Sequence, residues 1–393
     1  MRVVYLNHTS LISGAERYLL ALLRERPRDF SPVVLCPPGP LATAVAELGV
    51  PVETLPAVEP SLRLHPIRTP RGVGAIAAVG RRVRGLCRRH RSDLLHANSV
   101  RAGLVASAAG RALPPVVLSV HDCLPEGRAG RTIRSVLHRR TALALANSSY
   151  TARNFGGPRT SVVHPPVELE PAPSAERVGA LRRQLGIDPS SPVLAVVGQI
   201  TPWKGQETAI RALASIRERL PGAVLLLAGE VKFEGRGRRY DNSGYRVHLL
   251  DLCERLGLGR AVHFLGERDD IGDVLAASDL LLAPSWEEPF GIAVGEAMLA
   301  GTPVIATAVG GPAELIEDGT SGRLLQPHDH ELWGKAILEL TADPTGRRRL
   351  AERARRAAAG LGAERFRREI QAAYRKLERT AGGGVRGSAV LLP

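Results

Sequence analysis

Short apolar runs alternate with longer stretches of helical periodicity along the whole 393-residue chain. Fully apolar segments such as Val193-Leu194-Ala195-Val196-Val197 and Leu280-Leu281-Leu282-Ala283 read as buried strands. In the first half, strands are predicted near 2–6, 32–36, 93–97, 115–120, 142–146 and 161–164. In the second half they are predicted near 193–198, 223–228, 261–265, 279–283, 303–307 and 322–325. Strands that alternate with helices are the mark of parallel βαβ units. Pro165-Pro166 and Pro171-Ala172-Pro173-Ser174 punctuate the middle of the chain as a linker. The pattern therefore predicts an α/β protein of two doubly wound domains, residues 1–170 and 171–380. Residues 381–393, opening on Ala381-Gly382-Gly383-Gly384, are expected to be a loose tail. No short internal repeat is present.

In open α/β sheets, ligands bind outside the carboxyl ends of the strands. Each polar cluster of interest falls there. Asn7 to Glu16 follows the first strand and His121-Asp122 follows Val116 to Val120. Gln199 to Gly205 follows the strand ending at Gly198. Glu230 follows Val224 to Gly229, and Glu288 follows Leu280 to Ala283. Domains facing each other edge to edge would line one cleft with all of them.

Length and composition narrow the class. A chain this long exceeds one ordinary core, which agrees with two domains. No apolar run approaches the roughly 20 residues that span a bilayer. The opening Met1-Arg2-Val3-Val4-Tyr5-Leu6 enters a strand directly and shows no signal-peptide h-region. Cys36, Cys87, Cys123 and Cys253 are scattered with no C-x-x-C pair, so they suit neither a disulfide framework nor a zinc site. A reducing, cytoplasmic location is the expectation.

The net charge is +14, and only Lys204, Lys232, Lys335 and Lys376 among the 53 basic residues are lysine. A GC-rich coding sequence raises arginine in this way without any function. It does not explain the distribution. Residues 1–170 hold 23 Arg and 11 acidic residues, a net of +12, whereas 171–393 hold 30 basic and 28 acidic residues, a net of +2. The asymmetry favours an anionic partner for the first half. The segment from Val73 to Arg91 sets Ile76, Val79, Val83 and Leu86 beside Arg81, Arg82, Arg84, Arg88, Arg89 and Arg91. It reads either as a basic amphipathic helix peripheral to the inner face of a membrane or as a domain helix with a solvated arginine face. Further on, Arg128, Arg131, Arg134, Arg139 and Arg140 crowd one segment. Nucleic acid is not expected, because aromatics make up only 4% and no stacking platform is visible.

The most informative stretch runs from Ser285 to Glu296. Glu288 lies in the loop after an apolar strand. Glu296 is the one charged residue of the apolar helix Ile292 to Ala300. A carboxylate so placed needs a partner, either a ligand hydroxyl or an arginine or backbone N–H. Ser13-Gly14-Ala15-Glu16 fits a capping box. That reading leaves Gly14 unexplained, where a missing side chain would let a phosphate approach the helix N-terminus. Gly198-Gln199-Ile200-Thr201-Pro202-Trp203-Lys204-Gly205 sets a rare lysine at a strand end. It is either a compact charge for a phosphate or a solvated surface lysine. His121-Asp122 either serves a site or ties a loop. There is no G-x-S-x-G elbow, no P-loop, no G-x-G-x-x-G, no H-E-x-x-H and no Asp-x-Asp metal cluster.

Together these residues resemble the retaining glycosyltransferases of family 4 (glycosyltransferase group 1), over nearly the whole chain. The family's E-x(7)-E motif matches Glu288 to Glu296. Its glycine-rich first loop matches Ser13 to Glu16, and its donor loop G-R-x(4)-K-G matches Gly198 to Gly205. Its active-site histidine matches His121. Ala146-Asn147-Ser148-Ser149 and Gly301-Thr302-Pro303-Val304-Ile305-Ala306 also read like the family. The resemblance implies a GT-B fold, two Rossmann-like domains facing a central cleft, with acceptor bound by the first and donor by the second. It implies a nucleotide-diphosphate sugar as donor and a hydroxyl acceptor; with no acidic metal cluster in the sequence, no metal or cofactor is expected. Lys204 would contact the diphosphate, Glu296 the ribose and Glu288 the donor sugar. Backbone N–H groups of Phe290, Gly291 and Ile292 would meet sugar or phosphate oxygens, Gly14 a phosphate, and His121 the sugar. Gln199 departs from the pattern: it stands where the family often has arginine, and leaves the diphosphate more dependent on Lys204 and on helix N-termini. A nucleotide-sugar epimerase or a sugar phosphorylase of the same fold is the alternative enzyme reading. The glutamate pair disfavours the first, and no pyridoxal-bearing lysine sequence supports the second. A two-lobed sugar-binding protein is a more distant reading.

Overall fold

The computed structural model describes residues 1–57, 68–110, 112–169, 171–232 and 240–382. The chain forms two compact units, Met1–Pro166 with Ala363–Pro393, and Val167–Gly362.

The first unit carries β1 (Arg2–Leu6), α1 (Gly14–Arg24), β2 (Ser31–Cys36), α2 (Pro40–Glu47), β3 (Val52–Thr54), α3 (Arg68–Arg89) and β4 (Leu94–Ala97). It continues with α4 (Val100–Ala108), β5 (Val116–Val120), α5 (Gly127–His138), β6 (Thr141–Ala146), α6 (Ser149–Phe155) and β7 (Thr160–Val162). The sheet runs β3-β2-β1-β4-β5-β6-β7, and every pairing is parallel. Successive residues of one strand feed opposite cores. Val4 and Leu6 pack with Val83, Leu86 and Leu118, whereas Val3 and Tyr5 pack with Leu19 and Leu23 of α1. Burial on both faces is why the central strands are largely apolar, as in Val116-Val117-Leu118-Ser119-Val120, buried at every position. β3 escaped prediction because Val52-Glu53-Thr54 is an edge strand with no buried residue.

The second unit holds α7 (Ala175–Gln184), β8 (Val193–Val197), α8 (Gln206–Ile216), β9 (Val224–Ala228), α9 (Asn242–Arg255), β10 (Val262–Gly266), α10 (Ile271–Ala276) and β11 (Leu280–Ala283). Then follow α11 (Ile292–Ala300), β12 (Val304–Thr307), α12 (Pro312–Leu315), β13 (Arg323–Leu325), α13 (His330–Ala342) and α14 (Pro344–Ala358). Its parallel sheet runs β10-β9-β8-β11-β12-β13.

The final helix, α15 (Ala363–Gly382), corrects the expected division. Phe366, Ile370 and Tyr374 join the core of Tyr5, Tyr18 and Val34. Tyr374 Oη is hydrogen-bonded to His96 Nδ1, and Arg365 Nη2 donates to His164 O at 3.1 Å. Residues 363–380 thus belong with the first unit, and the boundary falls after Pro166, not after 170. α15 reaches Gly382, two residues into the expected tail, and 383–393 lie outside the described residues.

Of the two readings of α3, the packing favours the domain helix with a solvated arginine face. Its apolar stripe is not offered to lipid: Val79, Val83 and Leu86 are buried in the first unit's core, with Ile76 against them. Arg81, Arg82, Arg88 and Arg89 are exposed on the opposite face. Among the described residues no helix is long and apolar enough to cross a membrane.

Candidate functional site

In the second unit the sheet changes its direction of growth between β8 and β11. From β8 the chain adds β9 and β10 on one side, then returns to add β11, β12 and β13 on the other. Loops leaving the two strands at such a switch diverge and open a crevice at the carboxyl edge. The loops here are 198–205 and 284–291, the two segments that carry the sequence's candidate chemistry.

They are locked together by main chain. Gly205 has φ of 72°, and a Cβ on it would stand 2.1 Å from Pro284 O. Only glycine satisfies both the left-handed backbone and that approach. Trp286 N–H donates to Trp203 O at 2.8 Å. With the backbones joined, Lys204 Nζ reaches Glu288 Oε2 at 2.6 Å. Ser285 Oγ donates to the same oxygen at 2.9 Å, and the ammonium lies 4.4 Å from the centroid of the Trp203 ring. The side chains of Lys204 and Glu288 are only 19% and 11% exposed. A charge pair at this depth is sensitive to loss of either member, because the other is left desolvated and uncompensated.

A third loop clamps Glu288 from behind. Its N–H donates to Val309 O at 3.1 Å and its C=O accepts from Gly311 N–H at 2.8 Å. Gly310 (φ 112°) lies so close that a Cβ would stand 2.0 Å from Glu288 O. The sequence reading passed over Gly310-Gly311. A glycine pair just after a predicted strand was the available signal.

Glu296 lies in the body of α11 and is 8% exposed. Gly291 is the N-cap of that helix, with φ of 100°, and Phe290 before it is 2% exposed. The first N–H groups of α11 therefore open directly after the Glu288 loop. Gln199 is half-buried, and its backbone carbonyl accepts from Gln206 Nε2 at 2.9 Å. It adds no charge beside Lys204.

In the first unit the carboxyl edge gathers a second set. Gly14 is the exposed first residue of α1. The capping box forms: Ser13 N–H and Ser13 Oγ donate to Glu16 Oε2 at 3.1 and 2.5 Å. Asn7 Nδ2 donates to the other carboxylate oxygen at 3.1 Å. Glu16 is almost wholly buried, and burial pushes its carboxyl above the usual range. Asn98 Nδ2 joins Asn7 Oδ1 at 3.0 Å and Ala15 O at 2.9 Å, while Asn98 Oδ1 faces His121 Nε2 at 3.4 Å. The His121 ring meets Tyr18 edge-on at 4.7 Å. Burial lowers the His121 pKa to about 4, so the ring is neutral near pH 7. Asn98 escaped the sequence reading, although it directly follows the buried strand Leu94–Ala97. Among the described residues no group of three or more His, Cys, Asp or Glu stands ready to hold a metal.

Two Rossmann-like parallel-sheet units, each with its polar residues at the carboxyl edge, define the chain as a GT-B protein. Residues 12–171 match the model of Glycosyltransferase Family 4 and residues 178–357 that of Glycosyl transferases group 1. The chain belongs to that glycosyltransferase family. The D-inositol 3-phosphate glycosyltransferase of Mycolicibacterium vanbaalenii is 34% identical over 242 residues, which are 60% of this chain and 51% of that one. The namesake enzyme of Nocardia farcinica is 31% identical over 293 residues, 68% of this chain and 63% of its own. This chain thus spans about half to two thirds of the length of these relatives. The crystal structure of Anabaena Alr3699/HepE in complex with UDP-glucose superposes with a TM-score of 0.82, at 28% identity, covering 96% of this chain and 99% of that one.

Proposed function

We propose that this chain is a retaining, metal-independent glycosyltransferase that moves a sugar from a nucleoside-diphosphate sugar to a hydroxyl acceptor. The observation that carries the reading is the Lys204–Glu288 pair at the switch point of the second sheet, 2.6 Å apart. It supplies a compact cation for a diphosphate and a carboxylate for sugar hydroxyls within one crevice. HepE was crystallised with UDP-glucose, which makes UDP-glucose the first donor to test. The relatives' name makes D-inositol 3-phosphate the first acceptor.

In this reading Lys204 and the N-terminus of α11, through the N–H groups of Phe290, Gly291 and Ile292, neutralise the charge that develops on the departing diphosphate. Gly14 leaves the start of α1 open to a phosphate oxygen, and Gln199 donates a neutral hydrogen bond. Glu288 holds the donor sugar, Glu296 the ribose hydroxyls, and neutral His121 meets a sugar hydroxyl. The bond from the anomeric carbon to the phosphate oxygen breaks, and the acceptor oxygen bonds to the same face. The departing phosphate oxygen takes the acceptor proton, so no protein base is needed. The first unit binds the acceptor. Its net positive charge suits an anionic one, or peripheral contact with an anionic membrane surface in the cytoplasm. A thermal-shift panel of UDP-, GDP- and ADP-sugars, followed by turnover of the stabilising donor, tests the proposal. No stabilisation by any nucleotide sugar would refute it.

A further inference from the structure

The other arginine-rich segment of the first unit forms a surface feature that the donor chemistry does not use. Arg131, Arg134, Ser135, His138 and Arg139, with Arg159 from the turn before β7, line an open groove of about 530 Å³. Residues 131, 134, 135 and 138 recur at helical spacing, so they share one face of α5.

This groove lies at the opposite edge of the sheet from His121. His121 follows the carboxyl end of β5 and precedes α5, whereas Arg139 stands just before β6 and Arg159 immediately before β7. The 12 residues of α5, at about 1.5 Å each, put roughly 18 Å between its two ends.

Part of the arginine content has a structural account. Arg159 Nη2 donates to His138 O at 2.6 Å and closes the carboxyl end of α5. Arg134 Nε donates to Asn154 O at 2.9 Å. Backbone carbonyls thus hold both guanidinium groups in place while leaving their charge unneutralised. Arg131 and Arg139 are exposed. Among the described residues none of these four arginines has a carboxylate within salt-bridge distance. Like charges along one helix face repel. The carboxyl end of α5 offsets only about half a charge, against four full positive charges. A surface that keeps four guanidinium groups together without an acid among them is shaped for an external anion. Arginine's planar fork matches phosphate oxygens two at a time. The groove also has the volume of a small-molecule site, more than a lone ion fills.

We infer that this groove binds the phosphate group of a phosphorylated ligand, as a second anion site distinct from the donor crevice. The phosphate is either that of a soluble phosphorylated metabolite or a lipid headgroup at a membrane surface.

The test titrates the full chain with inorganic phosphate, and separately with vesicles of phosphatidylcholine alone or mixed with phosphatidylglycerol. Arg131→Gln/Arg139→Gln removes the two guanidinium groups that make no structural hydrogen bond, and Lys204→Ala removes the donor-site cation. The inference expects phosphate binding that survives in Lys204→Ala and weakens by about tenfold or more in the double variant. Phosphatidylglycerol binding that is lost in the double variant but kept in Lys204→Ala, with no binding to phosphatidylcholine alone, assigns the ligand to a lipid headgroup. In the unmodified chain, phosphate should also protect Arg131 and Arg139 from phenylglyoxal. Equal binding by the double variant and the parent in both arms, with no protection, overturns the inference. Phosphate binding abolished by Lys204→Ala alone overturns it too, and locates the anion in the donor crevice.

Discussion

Lys204 and Glu288, 84 positions apart in the chain, meet through a 2.6 Å contact between ammonium and carboxylate. Neither is brought there by its own element alone. The loop after β8 and the loop after β11 become neighbours because those strands are adjacent at the point where the sheet reverses its growth. Gly205 then lets the two backbones touch. The proposed donor chemistry hangs on that contact.

Glu288→Gln keeps the shape and removes the charge. The expected result is a kcat lower by on the order of 10²-fold, the scale of losing one preorganised electrostatic group. Steady-state kinetics with the donor identified by thermal shift checks it, and a variant with parental kcat removes Glu288 from the reacting centre.

Ser285 has a smaller part. Its hydroxyl orients the carboxylate that Lys204 also holds. Ser285→Ala should lower kcat by roughly tenfold, the worth of one hydrogen bond to a charged group. Nucleoside-diphosphate affinity should stay as it was. An equal loss of both would mean that the loop, not the carboxylate, had moved.

Gly205→Ala should act through the fold. The left-handed φ and the 2.1 Å approach to Pro284 O leave no room for a methyl group. The loops must separate, at a cost on the order of 1–3 kcal/mol for the backbone strain alone. Thermal unfolding should shift downward and turnover should fall with it. An unchanged Tm would show that the two loops do not depend on this contact.

The buried histidines contribute to loss of stability in acid. His121 and His96 are lowered from 6.5 to about 4 and about 3, chiefly by burial. As pH falls below about 6.5, the unfolded chain takes up protons that the folded chain refuses, so stability falls through that window toward pH 4. Glu16 acts in the opposite sense, since its raised carboxyl favours the folded state in acid. His121→Asn isolates one contribution: its Tm should decline less than the parent's between pH 6.5 and 4. Parallel curves would show that the His121 ring is protonated as readily in the folded state.

Metal independence follows from assigning the leaving-group charge to Lys204 and to the start of α11. Turnover should survive excess EDTA. Complete loss, restored by magnesium or manganese, would return that charge to a metal ion.

Much of this was legible in the sequence because burial on both faces makes a strand apolar at every position. The central strands, such as Val116–Val120 and Leu280–Ala283, announced themselves that way, and strand carboxyl ends located Lys204, Glu288 and His121. What stayed hidden lacked such a pattern. The Phe366, Ile370 and Tyr374 stripe of α15 would look the same packed on either unit, so the return of the chain to the first sheet could not be read from it. The apolar side of α3 reads alike whether lipid or a protein core covers it. Asn98 and Gly310 act through neighbours distant in the chain, and no local spacing marks those contacts.

The most direct test of the donor site is a calorimetric titration of the nucleoside diphosphate into the parent chain, Lys204→Ala and Glu288→Gln. The account predicts that Glu288→Gln binds nearly as the parent does, while Lys204→Ala binds at least about tenfold more weakly, the scale of one charge-assisted contact. Parental affinity in Lys204→Ala would contradict it, because the diphosphate would then rest on some other cation.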